Sequence, residues 1–103
     1  MTKVERVSAA LKIASRKMGT ILGRVLHAKL HLRVTKVSKE VAAQLKAFHK
    51  EGEDVRATLS VAVAQGVHTD FDAKAVEKTL AVFAKWDKRS ALVLSQAKPF
   101  LDG

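Results

Sequence analysis

The chain has no cysteine and no tyrosine, one proline and five glycines among its 103 residues. Without cysteine there is no disulfide, no thiolate metal site and no thiol nucleophile, and the redox compartment stays open. Aromatic residues are scarce: four Phe and one Trp, all at Phe48 or later. The segment before Phe48 therefore offers no platform on which a base could stack. Long apolar runs are absent as well. The longest stretch free of Lys, Arg, Asp and Glu covers residues 57–69 and contains His68, which is too short to span a bilayer. The N-terminus lacks the continuous apolar core of a secretory signal. It is basic and poor in acids, as an organellar presequence is, but that pattern runs on past any cleavable leader. The expectation is a soluble protein, inside a cell or inside a particle.

Acid is what the front of the chain lacks most. Residues 1–39 carry ten Lys or Arg and a single acid, Glu5, whereas residues 40–103 carry nine of each sign. The whole net charge of +9 thus lies in the first 39 residues. A cationic front on a balanced body implies an anionic partner: nucleic acid, an acidic protein surface or a membrane surface. Sixteen of the 49 hydrophobic residues are alanine. Each adds little buried area, so a core of this size leans on a partner or on further copies of the chain, a homo- or hetero-oligomer.

With so few breakers, an apolar period of 3.6 residues argues for helices throughout. The spacing predicts an all-α fold over residues 1–103, a single helical domain. It is a three- or four-helix bundle with a long basic amphipathic first helix. The helices fall at about 2–33, 38–51, 53–66 and 70–98. In the first, Val4, Val7, Leu11, Met18, Ile21 and Val25 follow a 3,4 spacing that reads as a heptad seam for a partner helix. Leu22, Leu26, Leu30 and Val34 form a second row. Between residues 24 and 51 there is no Gly or Pro, so two readings stand. The chain turns near the β-branched Val34, Thr35 and Val37, with Ser38 capping the second helix, or the first two helices are continuous. Gly52 suits a position just past a helix end, with Glu53 and Asp54 in the next first turn. Gly66 ends that helix, and Thr69 or Asp70 caps the last. Trp86 falls in the apolar stripe with Phe83 and Val93.

No constellation of catalytic type emerges. His27 and His31 stand four residues apart on one face, but Arg24, Lys29 and Arg33 around them repel a cation, and no acid is near. Neither a metal, nor a cofactor, nor a small-molecule substrate is expected, and no catalytic residue is assigned. Gly19 and Gly23 make a GxxxG spacing, which in a soluble helix marks close approach of another backbone. A helix-turn-helix over residues 38–66 offers only Arg56 for groove reading.

The function expected is that of a non-enzymatic docking protein. Its apolar seam enters an assembly while its cationic face meets a polyanion, foremost the nucleic-acid backbone without sequence specificity. The residues that pair with phosphate or carboxylate are Arg6, Lys12, Arg16, Lys17 and Arg24, supported by Lys29, Arg33 and Lys36. One alternative is a structural subunit or adaptor of a larger assembly, such as a viral particle or a secretion complex, with no nucleic-acid contact. Another is an amphipathic helix lying on a membrane surface. A parallel homodimer through the seam is disfavoured, because Lys17, Arg24 and His31 flank it without acidic partners, so the seam packs either on the chain's own later helices or on a different and more acidic protein.

Overall fold

A computed structural model describes residues 1–101 and is all-helical. Helix α1 spans Lys3–His31, α2 Lys39–Gln65 and α3 Asp70–Ala97, and a short 3-10 turn covers Lys98–Phe100. The described residues contain no strand, only an isolated antiparallel bridge between Leu32 and Leu101. The three helices run up, down and up in a rod of 51 × 19 × 19 Å.

Local chemistry starts each outer helix. Thr2 accepts from the Glu5 N–H and the Glu5 carboxylate reaches back, which closes a capping box on α1. Thr69 and Asp72 do the same for α3. The Asp72 carboxylate accepts from the backbone N–H of His68 at 3.0 Å and of Thr69 at 3.1 Å. These bonds, the one from His68 foremost, hold its pKa below the ordinary carboxylate value. The cap's contribution is thus present above the unfolded pKa and is lost as pH falls through the lower folded one.

Helix α2 overturns one expectation. The boundary at Gly52, with separate helices over 38–51 and 53–66, does not exist, and α2 runs through it. Among the described residues the bundle has three α-helices, the lower of the two counts expected. Among the described residues only Gly66 has a positive φ, +75°, and it ends α2 with its N–H on the Ala62 carbonyl. Gly52 has a different role. A Cβ placed there would lie 2.5 Å from Trp86 Cζ2 and 2.8 Å from Leu22 Cδ1. The missing side chain is a notch that admits the indole from α3 and the leucine from α1. Trp86 is 1% exposed. Its ring stacks on Phe48 at 4.7 Å between centroids and 5° between planes. Its N–H donates to the Phe48 carbonyl at 3.2 Å, so the buried polar atom is satisfied. Burying an indole contributes roughly 4–6 kcal/mol. That outweighs the ~1 kcal/mol that a mid-helix glycine costs.

The chain leaves helical geometry after His31 and re-enters it at Lys39. The continuous-helix reading is therefore excluded. Ser38, however, does not cap α2 with its side chain. Its hydroxyl turns backward, accepting from the Thr35 N–H at 2.8 Å and donating to the Arg33 carbonyl at 2.6 Å. Ser38 is fully buried and fixes the corner. The tail closes the same end, where the Arg33 N–H donates to the Phe100 carbonyl at 2.9 Å.

Two substitutions test this account. Gly52→Ala gains helix propensity but drives a Cβ into a rigid stacked ring, where overpacking costs about 1–3 kcal/mol. A net loss of up to about 2 kcal/mol is expected, read as a lower denaturation midpoint with an unchanged slope. Ser38→Ala leaves the Thr35 N–H and the Arg33 carbonyl without their partner and is expected to cost about 1–3 kcal/mol in the same assay.

Candidate polyanion-binding surface

The seam residues and the cations have opposite fates. Val7, Leu11, Met18 and Val25 are buried in one core with residues of α2 and α3, and Val4 and Ile21 pack half-buried against it. The chain's own helices close the seam. Of the two outcomes expected for it, packing on the chain's own later helices is the one seen, and a seam free to dock a separate partner helix is not, because its apolar area is already removed from water. Leu22 also enters the core, but Leu26 and Leu30 in the same row stay 39% and 70% exposed.

All eight expected cations are exposed: Arg6, Lys12, Arg16, Lys17, Arg24, Lys29, Arg33 and Lys36. Among the described residues, the ion pairs are Lys3 with Glu77 at 3.0 Å and Arg89 with Glu51 at 2.7 Å, and the His49 imidazole lies 3.2 Å from the Glu53 carboxylate. Leaving Arg33 aside, none of the expected cations has a carboxylate within 4.0 Å among these residues. The reason is compositional. Apart from Glu5, which is spent on its cap, the acids among the described residues lie on α2 and α3, where Glu77 answers Lys3 of α1 and the other α1 cations find no carboxylate within 4.0 Å.

The eight do not share one face. Arg6, Lys17 and Arg24 recur at 11 and 7 residues, about whole numbers of turns, and so line up along roughly 27 Å of α1. Lys12 lies about 120–140° around the helix from Lys17 and Arg24. Arg33 and Lys36 sit beyond the end of α1, in the corner.

Arg16, Lys17 and Arg24 come together at a groove between α1 and α3. A hollow of about 520 Å³ there is lined also by Thr20, Asp87 and Ser90. A second hollow, of about 730 Å³, continues it through Thr20 and Arg24 to His27, Lys98 and Leu101. The floor is apolar and small, built from Ala28, Ala91 and Leu94. Asp87 is the one acid lining the two hollows. Cations above a smooth floor can hold an anionic ligand by charge-assisted hydrogen bonds, whereas the Thr20 and Ser90 hydroxyls already donate to the Arg16 and Asp87 carbonyls. No protein-family model, characterised protein or solved structure matches this chain. Sequence reasoning does not reach Thr20, Ser90 or Lys98 in this groove. They are ordinary polar residues, and only the packing of α3 beside α1 gives them neighbours.

The other candidates come apart. The His27 and His31 rings lie 4.3 Å apart between centroids, and no third metal-binding side chain joins them among the described residues. Glu53 and Asp54 lie within α2, not in a first turn. His49 is 8% exposed, and its Nδ1, though close to Glu53, has no aligned hydrogen-bond partner. Gly19 and Gly23 have nothing beyond their own helix within 4 Å of a would-be Cβ, so the GxxxG spacing makes no close contact inside this fold. No helix among the described residues is long and apolar enough to cross a membrane.

Unpaired exposed cations contribute little to folding and repel one another. The triple change Arg16→Ala, Lys17→Ala and Arg24→Ala is therefore expected to leave the melting temperature unchanged or raised at low salt. A drop of more than about 1 kcal/mol equivalent would show that these side chains hold the bundle together.

Proposed function

We propose that this protein is a non-catalytic polyanion-binding bundle whose long, basic first helix docks on the nucleic-acid backbone without reading sequence. The observation that carries the reading is the set of exposed cations on α1 left without carboxylate partners, three of them converging with α3 at one groove. Fields from unpaired charges add where no acid cancels them, and a polyanion gains by releasing its counterions to such a surface. The row of Arg6, Lys17 and Arg24 spans several phosphates of a duplex. The groove also holds Thr20 and Ser90, whose hydroxyls donate to the Arg16 and Asp87 carbonyls, so the cations supply the donors to a phosphate. Among the described residues no Phe or Trp lines the two hollows, so the contact is to phosphate and not to bases.

The adaptor alternative loses its main support with the seam buried, since an assembly partner would need another surface. The assay that separates the two is fluorescence anisotropy with a generic duplex over a salt series. Affinity is expected to fall steeply between about 50 and 200 mM salt, and equally for unrelated sequences. The triple change at Arg16, Lys17 and Arg24 to Ala is expected to reduce the slope by about 2–3. No binding at the lowest salt, by a protein shown to be folded, ends the nucleic-acid reading.

A further inference from the structure

The corner between α1 and α2 is built inside out. Its serine, Ser38, is completely buried, while Val34 and Val37 are 67% and 76% exposed. The cause is the backward bonding of Ser38. It satisfies the Thr35 N–H and the Arg33 carbonyl from within, and the β-branched side chains beside it stand in water. Leu30, 70% exposed, and Leu26, 39% exposed, lead into the same corner along the last turns of α1. Leu26 and Leu30, four residues apart, share one side of α1, and Val34 and Val37 follow them in the non-helical corner, so the exposed apolar ridge is a helical pair followed by two corner valines. Lys29, Lys36 and Lys39 are interleaved with it, all exposed and without a carboxylate within 4.0 Å among the described residues. Between Glu5 and Glu40 the sequence holds no acid.

We propose that this corner is a second, separate docking site, and that its occupant is an anionic lipid surface. The argument rests on charge and shape. A second copy is disfavoured, because a two-fold contact through the ridge would bring the same lysines face to face. An anionic occupant is complementary to them. Side chains exposed to this degree, on a turn that closes one end of a rod, form a protrusion, while a docked helix needs a groove. A protruding aliphatic tip ringed by lysines matches the boundary of a bilayer, with the aliphatic groups among the acyl chains and the ammonium groups at the phosphates. Ser38 holds the tip in one shape, so little order is lost on binding. The nucleic-acid reading rests on Arg16, Lys17 and Arg24 at the α1–α3 groove, and the two proposals stand or fall independently.

The test is flotation of the full chain with vesicles of phosphatidylcholine alone and with vesicles carrying roughly 30% phosphatidylserine. Binding is expected to the second kind only, weakening as salt rises. Val34→Ser with Val37→Ser is expected to weaken it about tenfold while leaving the helical signal and the melting curve intact, since both side chains are exposed. Lys36→Glu with Lys39→Glu is expected to weaken it as well, with both valines kept. Three results would overturn the proposal: no binding to the anionic vesicles at low salt, binding indifferent to the valine changes, or capture by polyglutamate with the vesicle arm blank. The last would assign the corner to an acidic protein.

Discussion

The bundle is organised around the indole of Trp86 lying in the notch at Gly52. That contact joins all three helices, because the ring comes from α3, the notch and the stacked Phe48 from α2, and Leu22 from α1 closes it. The indole N–H is met by a carbonyl of the helix it packs on. The ring thus enters the core without leaving a donor stranded, and α2 is not broken to admit it. In a chain whose apolar residues are so often alanine, one large side chain supplies a disproportionate share of the buried area. Arg89 completes the arrangement from outside, over the Phe48 ring at 5.3 Å and on Glu51.

That core determines what the surface has to offer. By drawing the seam of α1 inward, it removes the apolar stripe from any partner and leaves the opposite arc to water. The cations of that arc sit on the helix with the fewest acids, so the surface keeps a field that a mixed surface would cancel. The proposed docking on a polyanion follows from this division: apolar residues are consumed in folding, and charge is retained for association. Polar side chains of α3 at the groove give the field a definite place to act.

The same division fails at the corner, where aliphatic residues remain outside. Folding alone does not require Val34 and Val37 to face water, and the buried Ser38 shows that the turn's polar needs are met without them. Apolar exposure with interleaved lysines is the pattern on which the proposed lipid contact rests. It lies at the end of the rod, past the point where the second hollow reaches Leu101 beside Leu32.

How much of this was legible in the sequence depends on whether the signal is local. The period of Val7, Leu11, Met18 and Val25 placed the buried face of α1. Thr69 and Gly66 marked ends of helices, and Trp86 fell in the core stripe. All of these follow from spacing and capping along one segment. The unpaired state of the α1 cations was foreshadowed by the lack of acids beside them. Gly52 was misleading because a glycine means a helix end or a notch according to what lies across from it, and Trp86 is 34 residues away in sequence. Ser38 was placed correctly at a break, but the direction of its hydroxyl depended on the corner's own geometry. The groove was not legible at all, since Lys98 and Ser90 meet Arg24 and Lys17 only after α3 packs beside α1. The sequence by itself determined the helices, the buried stripe and the sign of the surface, because periodicity and charge are carried residue by residue. The tertiary structure alone decided which cations converge, where the seam goes and what stays uncovered, because those are relations between segments that only packing brings together.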